Sequence, residues 1–173
     1  VAFTGDGATS QGDFHEALNV AAVWSLPVVF IVERNYWGLS TPEEEQFKFK
    51  SFVDKGPAYG MEARSFDGNN LAECYAELTK AADFSRTQSK PILLEANTFR
   101  IRGHEEASGT KYYPEGMIDT AMSDEPMAKI LREPDRYAMD EKSLQLEMEK
   151  AKARVDEAFH AACLLYTSPS PRD

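Results

Sequence analysis

Residues 5–41 read GDGATSQGDFHEALNVAAVWSLPVVFIVERNYWGLST, and the fold follows from this stretch. Ahead of it, residues 1–4 form a short apolar run that ends on Gly5-Asp6-Gly7. Behind the glycines, Phe14, Ala17, Leu18, Ala21 and Ala22 recur at the spacing of one helix face, which predicts a helix over 13–24. Next comes PVVFIVE, a continuous β-branched run of the kind buried on both faces of a parallel sheet. A strand thus feeds a helix through a glycine-rich turn and a second strand follows, which makes a βαβ unit.

In such a sheet the ligand site lies outside the carboxyl ends of the strands, where Asp6 and Asn35 both fall. Glycines at 5 and 7 let the backbone approach a ligand closely, and the free N–H groups of the following helix attract an anion such as phosphate. The Asp6 carboxylate and the Asn35 amide oxygen are hard donors suited to a magnesium ion that also holds phosphate oxygens. The pattern predicts a metal-diphosphate clamp. A bare Gly-Asp-Gly is also an ordinary strand-to-helix turn. Its pairing with an Asn at the end of the next predicted strand is what gives it weight.

Together, GDGATSQGDFHEALNVAAV and NYWGLST resemble the thiamine diphosphate enzymes, and more closely the alpha subunit of the 2-oxo acid dehydrogenase first component, of the pyruvate, branched-chain or acetoin type. The resemblance covers residues 1 to about 162. It implies an α/β thiamine diphosphate-binding fold with a doubly wound, mostly parallel sheet. It also implies decarboxylation of a 2-oxo acid with thiamine diphosphate and Mg²⁺, the acyl group passing to lipoamide. Carried onto this chain, the metal ligands are the side chains of Asp6 and Asn35 and the backbone carbonyl of Trp37. The cofactor-binding set is Gly5, Asp6, Gly7, Ala8, Asn35, Trp37 and His104. Thr98 to Gly109, TFRIRGHEEASG, is similar to the family's Gly-His loop before the cofactor phosphates, so His104 is the candidate catalytic residue. A lone loop histidine is otherwise most often exposed or structural.

The chain departs from the family in places. Where the family often has Asn-Asn-Gly-Tyr, it has Arg34-Asn35-Tyr36-Trp37. An arginine that in some members touches the diphosphate is Glu33 here, which leaves Arg34 as the alternative donor. The serine phosphorylated in regulated mitochondrial members is Glu105. The implied partners are a beta subunit or fused beta domain that supplies the activating glutamate, in a heterotetramer, and a lipoyl-bearing acyltransferase component. The isolated chain is expected to be inactive. Two other readings stand beside this one: a transketolase-like or synthase member of the cofactor superfamily, and a non-catalytic assembly subunit.

Further along, 47–59 holds a short helix candidate stopped or kinked by Gly56 and Pro57, and 63–66 a brief strand. Asp67-Gly68-Asn69 is a turn of structural type. Asn70 with Glu73 resembles a capping box for a helix that carries Leu71, Cys74, Tyr75, Leu78 and Ala82 on one face. ILLEANTF is a second buried strand, so the alternation repeats. Residues 99–124 have no clear period, and loops of that length are usually functional or disordered. Tyr112 and Tyr113 either line a substrate entrance or, the better reading, pack under the loop. The 43–45 glutamates read as a solvated face. Helix candidates follow at 127–131 and 141–162, the latter with Leu144, Met148, Ala151, Val155, Phe159 and Ala162 on one side.

The net charge of −10 argues against nucleic acid or an anionic membrane as partner, and 42% hydrophobic residues suffice for a core. No run approaches the ~20 apolar residues of a membrane span. Two cysteines, Cys74 and Cys163, form no framework, which favours a reducing compartment. The expected location is a bacterial cytoplasm, with the mitochondrial matrix as the alternative. CLLYTSPSPRD, 163–173, breaks from the charged helical pattern and resembles one frame of a transposon-library sequencing adaptor. We expect 1–162 to be part of a longer native domain, incomplete at both ends, and 163–173 to be a scar, the alternative being a genuine Pro/Ser-rich tail.

Overall fold

The apolar runs become strands and the periodic runs helices in a computed structural model, which describes residues 1–166 apart from Glu106 and Met139. Val1–Pro126 forms one compact unit and the chain from Met127 onward a second. In the first unit, β1 (Ala2–Gly5) leads through a 3₁₀ turn at Gly7–Ser10 into α1 (Gly12–Val23) and β2 (Val29–Arg34). A small hairpin follows, β3 (Trp37–Gly38) with β4 (Thr41–Pro42). After 3₁₀ turns at Glu43–Glu45 and Phe52–Asp54 come α2 (Lys55–Ala58), β5 (Glu62–Asp67), α3 (Leu71–Gln88), β6 (Ile92–Asn97) and α4 (Met117–Ser123).

The main sheet is wholly parallel, in the order β1-β2-β6-β5. Period two sorts its side chains into two layers. Phe30, Val32 and Leu93 face α1 residues Phe14, Leu18 and Ala21, with Phe52 and Met61 closing that layer. Val29, Ile31, Ile92, Leu94 and Ala96 face the other way, with Phe66, toward Ala81, Cys74 and Phe84 of α3. Helices cover both faces, the doubly wound α/β arrangement expected. Val32, Ile92, Leu93 and Leu94 are at most 1% exposed, and each such side chain contributes about 1.5–3 kcal/mol relative to leaving it in water.

Several elements differ from the sequence reading. Ala17 of α1 is exposed. The predicted apolar face of α3 is largely outward, with Leu71, Tyr75 and Leu78 exposed and the small residues Ala81 and Ser85 buried. A stripe of small side chains lets the helix lie close to the sheet, and it wins over the larger but more widely spaced apolar set. The capping box is half formed. Asn70 Oδ1 accepts from the Glu73 amide at 3.3 Å, but the Glu73 carboxylate accepts instead from the Asp67 amide at 3.1 Å. Gly56 and Pro57 lie inside α2 rather than ending it, since proline is tolerated in a first helical turn. Within 99–124, α4 starts behind Gly116, whose φ of 76° suits glycine.

The second unit holds most of α5 (Pro126–Arg132), a 3₁₀ turn at Pro134–Tyr137, and α6 (Glu141–Tyr166). On α6 Leu144 is buried, whereas Val155 and Phe159 are exposed. The helix passes Ala162 without a break and runs to Tyr166. The remainder of the expected scar, 167–173, lies outside the described residues. No helix among the described residues is long and apolar enough to cross a membrane. Cys74 and Cys163 are free thiols.

Candidate functional site

Two neighbouring strand ends build the site. In the parallel register Gly5 stands opposite Glu33, and the Asp6 amide donates to the Glu33 carbonyl at 3.3 Å. Asp6 and Asn35 therefore leave the sheet side by side, on the carboxyl edge where such sheets bind ligands. The 3₁₀ turn after Asp6 is held by the buried Thr9, whose amide and hydroxyl both donate to the Asp6 carbonyl, at 3.1 and 2.6 Å. Ala8 sits exposed in this turn.

Asp6 is fully buried, and its two oxygens have different fates. Oδ1 caps the turn by accepting from the Gly7 amide at 2.9 Å. Oδ2 is buried and has no hydrogen-bond partner. The Tyr36 amide comes close enough to act on the carboxylate without making a bond of normal geometry to that oxygen. Burial pushes the Asp6 carboxyl above its usual range. The Gly7 and Tyr36 amides oppose that rise, as does the Arg100 charge, and Glu43 adds to it. An unpaired buried carboxylate oxygen costs stability unless something fills its coordination.

Asn35 is half-buried, and both its side-chain bonds are long: Oδ1 accepts from the Trp37 amide at 3.3 Å and Nδ2 donates to the Glu33 carbonyl at 3.4 Å. Trp37 opens the hairpin. Its ring is edge-on to Tyr113 at 5.0 Å and tilted against Tyr112 at 5.7 Å. Gly5, Asp6, Gly7, Ala8, Asn35 and Trp37 thus gather on the β1 turn and the hairpin beside it. A carboxylate with an open oxygen, a loosely held amide and a backbone carbonyl make an oxygen donor set that suits magnesium. Among the described residues no group of three or more His, Cys, Asp and Glu could hold a metal, so an ion here would rely on the amide and carbonyl as well.

The two glycines flanking Asp6 have unlike surroundings. A Cβ on Gly7 would lie 2.6 Å from the Gly38 Cα, so the close approach is between turn and hairpin; around Gly5 nothing lies within 4 Å.

His104 is exposed on the loop after β6, and its Nδ1 lies 3.0 Å from Arg100 Nη1. Arg100 also donates to the Leu39 carbonyl at 2.6 Å and to the Tyr112 hydroxyl at 3.0 Å, and Tyr113 donates to the Arg100 carbonyl at 2.9 Å. His104 is thus tied to the hairpin through Arg100, a residue the sequence reading did not single out. The run of polar residues around it hid its role. Tyr113 is buried among Trp37, Phe99 and Tyr112, the packing role.

Arg34 is held by two carboxylates. Nε and Nη2 donate to the two oxygens of Glu43 at 2.8 and 2.7 Å, and Nη1 donates to Glu95 at 2.8 Å. These bonds, the Glu43 pair first, raise its pKa. Each of these nitrogens thus carries one carboxylate bond, and Nη1 and Nη2 keep a second N–H. Glu43 is therefore a partner of the sheet, while Glu44 and Glu45 remain exposed. Glu95, 2% exposed, also accepts from Ser51 Oγ at 2.6 Å and from the Phe52 amide. A cleft of about 930 Å³ opens next to the hairpin, lined by Tyr36, Trp37, Asn97, Phe99 and Met117 among others, but not by Asp6, Asn35 or His104.

Residues 1–165 match the family described as dehydrogenase E1 component. The chain is 43% identical over 121 residues to 2-oxoisovalerate dehydrogenase subunit alpha 2, mitochondrial, of Arabidopsis thaliana, covering 69% of this chain and 25% of that protein. It is 42% identical over 130 residues to 3-methyl-2-oxobutanoate dehydrogenase subunit alpha of Mycobacterium tuberculosis, 75% of this chain and 35% of the relative. It is also 32% identical over 158 residues to pyruvate dehydrogenase E1 component subunit alpha of Rickettsia felis, 90% and 48% respectively. These matches span about half the length of the relatives or less.

Proposed function

The chain belongs to the dehydrogenase E1 component family, and from that premise we propose that it is the cofactor-anchoring part of an alpha subunit in a 2-oxo acid dehydrogenase. The assembled enzyme decarboxylates a 2-oxo acid and passes the acyl group to lipoamide. Thiamine diphosphate supplies the electron sink for that decarboxylation when bound. The observation that carries the reading is Asp6 Oδ2, a buried carboxylate oxygen without a partner at the carboxyl edge of a parallel sheet.

This chain's residues bind and orient. Asp6 and Asn35, with the Trp37 carbonyl, would hold Mg²⁺, and the exposed turn at Ala8 would border the diphosphate. His104, steadied by Arg100, borders the phosphates. Anchoring of this kind fixes a reacting group in place and transfers no proton itself. The activating glutamate comes from a beta subunit or fused beta domain, and a lipoyl-bearing acyltransferase receives the product. The setting is a bacterial cytoplasm or a mitochondrial matrix.

The test is coexpression of the full reading frame with its beta partner, followed by a panel of 2-oxo acids. Higher identity to the two branched-chain relatives than to the pyruvate one puts 3-methyl-2-oxobutanoate first. Asp6→Ala should abolish Mg²⁺-dependent cofactor binding with the fold kept. Unchanged cofactor affinity, or decarboxylation by the isolated chain, contradicts the proposal.

A further inference from the structure

We propose that Tyr36 is a positioning residue that presets the metal-binding loop, a role resting on the reading of Asp6, Asn35 and Trp37 as magnesium ligands. Tyr36 lies between two of those three residues and has a φ of 68°. That left-handed conformation is free for glycine and strained for a bulky aromatic. Three residues on, Leu39 has a φ of 57°, so two non-glycine residues of this short segment are held in the same unfavourable region. Strain of this kind persists only where the surroundings over-determine it.

The surroundings do so at Tyr36. Its hydroxyl donates to Asn97 Oδ1 at 3.2 Å. Asn97 is itself fixed, donating through Nδ2 to Ser65 Oγ at 2.8 Å and to the Phe66 carbonyl at 3.2 Å. Through that relay Tyr36 is tied across β6 to β5. The Arg34 guanidinium lies 5.0 Å from the ring centroid. Arg34 cannot drift, because Glu43 and Glu95 hold it. The hairpin tip has its own anchor in Arg100, at the Leu39 carbonyl.

A tyrosine is therefore retained in a turn that favours glycine, and its side chain fastens that turn to the sheet. The backbone on either side, which bears the Asn35 side chain and the Trp37 carbonyl, is held in place before an ion arrives, and binding need not order it.

The test is a Mn²⁺ titration of the assembled enzyme followed by electron paramagnetic resonance, with melting temperature and circular dichroism recorded alongside. Tyr36→Gly should weaken Mn²⁺ about tenfold by loosening a preorganised site, broaden the bound-ion spectrum and leave the fold intact. Tyr36→Phe, which removes one hydrogen bond, should weaken it about threefold. Asn97→Ala should match Tyr36→Phe, and the double variant should be no worse than either. If Tyr36→Gly fails to fold, Tyr36→Phe and Asn97→Ala decide the matter. Wild-type Mn²⁺ affinity in these variants, with binding still abolished by Asp6→Ala, overturns the role of Tyr36 alone. No Mn²⁺ binding by the wild type overturns the metal site, and this role with it.

Discussion

Glu95 is 2% exposed and accepts bonds from Arg34, Ser51, Ser65 and the Phe52 amide; Asp6 is fully buried, and one of its oxygens accepts none. Both are carboxylates near the carboxyl ends of parallel strands. Glu95 shares a sheet face with Phe30, Val32 and Leu93, deep in one layer of the core, and its donors are supplied by the fold. It ties the 43–52 segment to the sheet. Asp6 stands at the rim, and the fold supplies one donor where two oxygens need them. Saturation marks a structural role, and incompleteness is what singles out the proposed ligand site, even though burial and residue class are the same.

The largest effect expected is at Glu95. Glu95→Ala leaves the Arg34 cation and the Phe52 amide short of a partner and should cost about 3–5 kcal/mol in urea unfolding. A loss below about 1 kcal/mol, the ordinary size of a single hydrogen bond, would erase the contrast. Asp6→Asn should leave metal-free stability nearly unchanged. The wild-type assembly, however, should gain about 2.7 kcal/mol from cofactor with Mg²⁺ at a hundredfold excess over Kd, and the variant nothing. Equal ligand-induced shifts in Tm would break the assignment.

The turn itself offers a sharper comparison. Gly7→Ala forces a Cβ onto the Gly38 backbone and should cost about 1–3 kcal/mol. Gly5→Ala meets open space and should stay within about 0.5 kcal/mol. The same denaturation series measures both.

The smallest effect is the pH dependence of Asp6. Its folded pKa is raised by burial, so the native state holds this proton more tightly than the unfolded one. Below the unfolded value of about 4 the group is neutral in both states and carries no penalty. As pH rises from there through the folded pKa, the metal-free wild type should lose stability relative to Asp6→Asn, then level off. A difference that stays flat from acid to neutral pH contradicts the desolvated carboxylate.

Sequence reading recovered β1, α1, β2 and β6 because 28–32 and 92–94 are unbroken apolar runs, a pattern few other structures accept. It also put Asp6 and Asn35 at neighbouring strand ends, since a βαβ unit leaves little choice. It missed which face of α3 is buried, because packing distance favours Ala81 and Ser85 over larger residues. It missed the hairpin at 37–42, held by Gln46 Nε2 on the Thr41 carbonyl and Arg100 on Leu39 rather than by any local signal. The pairing of Arg34 was not legible because the carboxylates that engage it, Glu43 and Glu95, are remote or hidden in an acidic run. Long-range pairing of charges has no periodicity to read.

The two tryptophans report on unlike surroundings. Trp24 caps the end of α1 and is 69% exposed, whereas Trp37 lies against two tyrosines within the hairpin beside the candidate site. Replacing Trp24 with Phe leaves a single indole there, excited directly or by energy transfer from Tyr112 and Tyr113. The emission of that one ring then follows the hairpin, so motion beside the candidate site becomes visible without a label.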